Sequence, residues 1–303
     1  MIKRSITLFV IAFFSLASIV SAKPLKFGIL PVIDTLPLQV AAKEGYFKKH
    51  NLEVELISFM SANERNTAVY ADQLDGFFGD LIATLLIMDK KVSKGFPAPV
   101  KVINISYSTN PKQRMFALVT APKLNLSNKK QLTVAISKAS IIEYLLSHFE
   151  TLPVAGKYEY LPVEIKKMPI RVQMLLSGKI ESALLPEPLV SLAESKGAKV
   201  LDTDQTLGMP LTNLALSTSA IKYQDAFLKS YSLAVQALRD NPEKYRSLMA
   251  KTCRIPKPLV KDFPVYKFPF PRIPTKQEVD QVQTWMIKSK LINNKIPYAT
   301  VVP

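Results

Sequence analysis

The chain has 303 residues, with 40 Lys and Arg against 24 Asp and Glu, two His and one Cys, for a formal charge of +16 at pH 7. One cysteine excludes an internal disulfide framework, and two histidines with no Cys or second His at ligand spacing leave no expected metal site and no expected cofactor. The lysines are scattered in pairs such as Lys48-Lys49 and Lys129-Lys130, without a stripe or interleaved aromatics, so no nucleic-acid partner is expected.

Lys3 and Arg4 precede an apolar run from Ser5 to Val20, and Val20-Ser21-Ala22 supplies small residues for cleavage. This reads as a secretory signal peptide over residues 1–22, because the run is short and no stop-transfer charges follow it. No Cys stands at the cleavage site, so no lipid anchor is indicated. A soluble, exported product beginning at Lys23 is expected.

Lys26 to Leu30 is a strand signal, followed by an Asp34-Thr35 capping pair and Pro37 near the start of a helix that Gly45 closes. Glu53 to Phe59 alternates as a second strand, and Ser61 with Glu64 has capping-box spacing at the head of a helix. Leu74 to Leu81, LDGFFGDL, is a third strand leaving through Gly79 and Asp80 into the helix LIATLLIM. Strand, helix, strand, helix, strand with short connections makes a parallel sheet covered by helices.

Lys101 to Ser106 and Arg114 to Thr120 are two more strands, separated by a polar turn at Thr109-Asn110-Pro111 where the chain crosses to a second lobe. There the order repeats. Leu132 to Ile136 is a strand, Ser140 with Glu143 a capping box over IIEYLLSHF, Val163 to Met168 a strand, Arg171 to Ser177 a helix and Ile180 to Leu185 a strand. Pro186-Glu187-Pro188 turns into LVSLAE, Lys199 to Leu201 is a fourth short strand, and Leu211 to Ser217 returns to lobe one. Helices over Tyr223–Arg239, Pro242–Lys251 and Lys276–Leu291 then cover lobe one and form a C-terminal brace, with apolar stripes that belong to the core.

The two halves echo each other. Ile180 to Leu184 fall on Leu74 to Phe78, the same offset carries Arg65 onto Arg171, and nearly the same offset carries LKFGIL at Leu25 onto LTVAIS at Leu132. Such a repeat points to two lobes of one make. The expected fold is α/β and two-lobed, with lobe one over 23–112 and 213–303 and lobe two over 113–212.

In open parallel sheets ligands sit beyond the carboxyl ends of the strands, so facing lobes place both sets of ends on one cleft. By position the candidates are Val32, Asp34 and Thr35 after strand one, and Ser61, Ala62, Asn63 and Arg65 after strand two. Gly79 and Asp80 follow strand three. Lobe two offers Ser137, Lys138, Ser140, Arg171 and Glu187. Ser61 and Ser140 are explained first as helix caps, but the same helix N-termini suit a phosphate, sulfonate or carboxylate. Asp80 and Glu187 are expected to face each other as carboxylates at matching strand ends, a pair suited to an amine or heterocyclic N–H donor. No Ser-His-Asp order, nucleophile elbow or Gly-rich phosphate loop is present, and an enzyme is not expected.

The run ILPVIDTLPLQVAAKEGYFKKHNLEVEL, the turn SANERN and then LDGFFGDL resemble the substrate-binding proteins of ABC importers, in the branch that handles nitrate, alkanesulfonates, taurine and thiamine pyrimidine precursors. MPIRVQMLLSGKIESALLPEPL is similar to that family's second-lobe segment. The resemblance implies a type II periplasmic binding fold, a periplasmic location, and a monomer that closes over a small-molecule ligand and docks on a permease and ATPase complex at the inner membrane. Its contacts would come from Pro31 to Thr35, Ser61 to Asn63, Gly79-Asp80, Ser137 to Ser140 and Glu187; Lys138 and Ala139 stand where relatives often carry Gly, Asn or Thr. Two alternatives stay open: a cleft enzyme of the same fold, of menaquinone- or thiamine-precursor type, and a periplasmic ligand sensor.

Overall fold

A computed structural model describes residues 23–95, 98–106, 113–210 and 212–303; the segment expected to be a signal peptide, the expected turn at Thr109-Asn110-Pro111 and Leu211 lie outside them. In chain order the elements are β1 (Leu25–Ile29), α1 (Leu36–Lys43), α2 (Tyr46–Lys49), β2 (Val54–Ser58), α3 (Ala62–Tyr70), β3 (Gly76–Asp80), α4 (Leu81–Val92) and β4 (Val100–Ser106). There follow β5 (Phe116–Thr120), β6 (Gln131–Ile136), α5 (Ile141–Phe149), β7 (Glu159–Glu164), α6 (Met168–Leu176), β8 (Ser182–Pro186), α7 (Leu189–Ser195) and β9 (Val200–Thr203). The chain closes with β10 (Thr212–Ser217), α8 (Gln224–Asp240), α9 (Arg246–Thr252), α10 (Lys276–Lys288) and α11 (Tyr298–Val301).

The strands form two five-stranded sheets, ordered β2-β1-β3-β10-β4 and β7-β6-β8-β5-β9. Within the first, β1 runs parallel to β2 and β3 while β10 is antiparallel to β3 and β4. The second repeats this layout, with β6 parallel to β7 and β8 and β5 antiparallel to β8 and β9. Each sheet thus takes its antiparallel fourth strand at a crossing between lobes. Central strands β3, β5 and β8 are buried along their whole length, as expected when helices cover both faces.

Helix starts follow local chemistry. Ser61 Oγ accepts from Glu64 N at 3.2 Å, and the Glu64 carboxylate reaches back to Met60 N at 3.1 Å. Ser140 Oγ accepts from Ile142 N at 3.2 Å, while Glu143 takes the amide of Ala139 at 2.6 Å. In both cases the glutamate returns one residue before the cap, a stretched capping box.

Three expectations shift. The strand expected over Val163–Met168 is β7, paired residue for residue with β6 from Gln131↔Glu159 to Ile136↔Glu164; Pro162 is tolerated because β7 is an edge strand. The helix expected from Arg171 begins at Met168, since Pro169 in its first turn needs no amide partner. Thr35 is not a side-chain cap: its hydroxyl donates to the carbonyls of Leu30 and Val32 at 3.0 and 2.8 Å.

Lobe one's cover is α8, which buries Phe227, Tyr231, Ala234 and Leu238; the Phe227 ring lies 4.9 Å from Phe27 and 5.2 Å from Phe47. The brace helix α10 also meets lobe two: Trp285 stands edge-on to Tyr144 of α5 at 5.0 Å, and Gln281 Nε2 donates to the Tyr144 hydroxyl at 3.2 Å. Among the described residues no helix is long and apolar enough to cross a membrane.

Candidate functional site

The carboxyl ends of β1, β3, β6 and β8 converge on a cavity of about 80 Å³ between the lobes. On the same measure a buried water takes roughly 10–15 Å³, so the space suits a handful of waters or a small ligand. Its walls are mainly apolar, with Leu30, Val32 and Phe78 from lobe one and Phe116, Ile141, Ile142, Met168 and Pro186 from lobe two. Its polar groups are Asp34, Arg65, Asp80, Ser137, Ser140, Lys166, Arg171 and Thr212.

Two guanidinium groups dominate it. Arg65 is 1% exposed; its Nη1 donates to the Phe78 carbonyl at 2.7 Å, its Nε and Nη2 hold Asn66 Oδ1, and its plane lies over Phe77 at 5.0 Å. Arg171, equally buried, donates from Nη1 to the Leu184 carbonyl at 2.9 Å, from Nε and Nη2 to Ile165 O, and from Nη2 to Ser137 Oγ. Neither makes a salt bridge among the described residues. Burial pushes both down to about 10, in Arg65 against the charge of Asp80, leaving them charged at neutral pH and Arg171 without a counter-charge. Gly79 is required beside them: a Cβ there would meet the Phe77 ring at 2.8 Å and Arg65 Nη1 at 3.4 Å.

The carboxylates play different parts. Asp80 caps α4, accepting from Ala83 N at 2.8 Å, and also meets the amide of Ile141, the first residue of α5 in the opposite lobe. Burial raises its pKa against the pull of those amides and of Arg65. Asp34 is 5% exposed, lines the cavity, and has no partner for Oδ1. Burial and the nearby charge of Asp204 push it up to about 7. Asp204 belongs to lobe two, accepts from the amides of Met115 and Phe116 at 3.0 Å each, and is itself pushed up to about 6 by burial.

Glu187 does not look across at Asp80. Its carboxylate, 3% exposed, is taken by Arg114 Nε at 2.9 Å and by Ser191 N and Oγ at 3.1 and 3.0 Å, and it stands outside the cavity wall. An acid just ahead of α7 is drawn to that helix's free amides, a local use that strand-end position alone does not reveal. Thr35 and Ser61 are likewise engaged internally and do not line the cavity. Val32, Asp34, Ala62, Arg65, Gly79, Asp80, Ser137, Ser140 and Arg171 are brought together on it. Asn63 and Lys138 line a wider, polar groove that shares Ala62, Ser137, Ser140 and Lys166 with the cavity and adds Lys90, whose Nζ sits 4.2 Å over the Tyr70 ring.

Sequence reading missed Thr212, Phe116, Asp204 and Lys166. Thr212 sits opposite Asp80 in the β3–β10 ladder, so the crossing strands were the signal: each enters its sheet at the cleft. Among the described residues no group of three or more His, Cys, Asp or Glu could hold a metal ion.

The model of the NMT1-like family matches residues 20–253. No curated protein matches the sequence. Among solved structures, the periplasmic aliphatic sulphonate-binding protein SsuA of Escherichia coli superposes with a TM-score of 0.72 at 16% identity, over 93% of this chain and 92% of that one. The alkanesulfonate-binding protein SsuA of Xanthomonas axonopodis pv. citri, bound to MOPS, gives 0.70 at 14% identity over 93% and 99%. The ligand-binding component of an ABC-type import system from Staphylococcus aureus, with zinc bound, gives 0.70 at 16% identity over 93% and 97%. At these identities the likeness is one of fold, and the fold is the two-lobed type II periplasmic binding architecture.

Proposed function

The chain belongs to the NMT1-like family, and from its cleft we propose that it is the exported substrate-binding component of an ABC importer, capturing a small organic anion between its lobes. The observation that carries this reading is the pair of buried guanidinium groups, one per lobe, that line one cavity with no carboxylate bonded to either. Buried cations are costly unless paired; Arg65 feels the single charge of Asp80 and Arg171 that of no carboxylate, and an oxyanion held between the lobes supplies the balancing charge. Ligand contacts from both sides favour the closed arrangement in proportion to their difference from the open one. Sulfonate is the leading oxyanion, supported by the sulfonate-binding proteins that share the fold.

In this reading residues 1–22 are a cleaved signal peptide, lobe one comprises 23–112 and 213–303, lobe two 113–212, and the monomer works in the periplasm without chemistry of its own. The closed lobes present the ligand to a membrane permease and its ATPase. Calorimetric titration of ethanesulfonate tests the anion site. Saturable one-to-one binding weakened by salt supports it, and absence of heat with sulfonate, sulfate and nitrate alike overturns it.

A further inference from the structure

The C-terminal brace touches lobe two away from the cavity, and ligand binding does not account for that contact. Helix α10 presents two faces. On one, Val279, Val282, Gln283 and Met286 are buried, and the Gln283 side chain donates to the Ile296 carbonyl at 3.1 Å and accepts from the Ile296 amide at 2.7 Å. Just beyond, Lys101 Nζ of β4 donates to the carbonyls of Ala299, Thr300 and Val302 at 3.1, 3.2 and 2.8 Å. These bonds fix the brace to the sheet of lobe one. The other face carries Gln281 and Trp285, one helical turn apart and therefore neighbours. Both meet Tyr144 of α5 in lobe two, ring edge against ring and amide against hydroxyl.

Tyr144 is 6% exposed and stands about one turn beyond Ser140, Ile141 and Ile142, the start of α5 that lines the cavity. Lobes that part about a hinge carry their helices as rigid bodies, so opening at the cavity draws Tyr144 away from α10. At the crossing between lobes the same C-terminal segment holds on in another way: the Tyr266 hydroxyl donates to the Arg114 carbonyl at 2.6 Å, and the Lys267 amide to Gln113 Oε1 at 3.1 Å. The brace thus grips lobe two at the pivot and at a helix that moves.

We propose that α10 is a latch between the lobes: Trp285 and Gln281 hold Tyr144, and the cavity opens only when they release it. The contact is made by protein groups alone, so it favours the joined lobes whatever the cavity holds and stands apart from the anion reading. An edge-to-face aromatic pair with one hydrogen bond shifts the ratio of joined to parted lobes by about tenfold. Gln281 and Trp285 are positioning residues, acting on the cavity through α5.

Trp285 is the single tryptophan of the chain, so its emission reports on the latch directly. The test compares the whole mature chain with a Gln281→Ala, Tyr144→Leu double variant by small-angle scattering and acrylamide quenching. The double variant should have a larger radius of gyration and a quenching constant at least about twice that of the wild type, as its population moves to the parted state. Gln281→Ala alone, at an exposed side chain, and Tyr144→Phe, which loses only the hydroxyl, should each move both readouts the same way by less. These two decide the matter if the double variant folds poorly. Stronger quenching at an unchanged radius of gyration means that Trp285 leaves Tyr144 while the lobes stay together, and it overturns the latch. A larger radius without stronger quenching places α10 with the moving lobe and overturns it too, as does no change in either.

Discussion

Arg65 and Arg171 occupy one position in two lobes: each reaches from the first turns of a helix to the carbonyl thirteen residues further along the chain, Phe78 in one lobe and Leu184 in the other. The internal repeat is thus preserved as a hydrogen bond that ties each helix to the neighbouring strand and aims a cation at the cleft. Replacing Arg65 by Gln strands the Phe78 carbonyl and removes a ligand donor. It should cost about 1–3 kcal/mol of stability and about 10- to 100-fold in anion affinity. Thermal unfolding and calorimetry of Arg65→Gln and Arg171→Gln measure both, and the two variants should behave alike.

Much of this was readable in the sequence, for physical reasons. The strand–helix alternation, the Ser61 and Ser140 caps and the Arg65–Arg171 match are local signals with fixed spacing, and they locate the cleft. Glu187 was misplaced because capture by Arg114, 73 residues away in the chain, is a tertiary event with no local signature. Asp204 was missed for the same reason: it matters only because the fold sets it near Asp34.

Glu187→Gln should therefore leave ligand affinity within about twofold while lowering stability by about 1–3 kcal/mol, through the weakened hold on Arg114 and Ser191. A titration and an unfolding curve on the same sample check this. A large loss of affinity would return Glu187 to the ligand site.

Asp80 joins the lobes by capping α4 and meeting the Ile141 amide. Asp80→Ala should lose about 0.5–2 kcal/mol for the cap and shift the unliganded protein towards the open arrangement. Small-angle scattering should show a larger radius of gyration than for the wild type, and added ligand should reduce that difference.

Asp34 carries a pH signature. Its folded pKa, about 7, lies above the ordinary value of 3.8, so the native state binds this proton more tightly than the unfolded chain. The contribution to stability is complete below the unfolded value and is lost as pH rises through about 7, by at most about 4 kcal/mol. The neighbouring groups are Asp204, Tyr266 and Cys253, of which Asp204, about 6, acts in the same direction. Asp34→Asn should raise the melting temperature of the unliganded protein at pH 8 and change it little at pH 4. Equal effects at both pH values would contradict this.

The most direct test of the central claim is native mass spectrometry of the protein purified gently from cells, beside the Arg65→Gln, Arg171→Gln double variant checked for folding. The wild-type protein should carry a small molecule bearing an oxyanion, retained at one per chain, and the double variant should carry none. A retained molecule without an anionic group, or equal retention by the double variant, would contradict the claim that these two arginines hold the ligand.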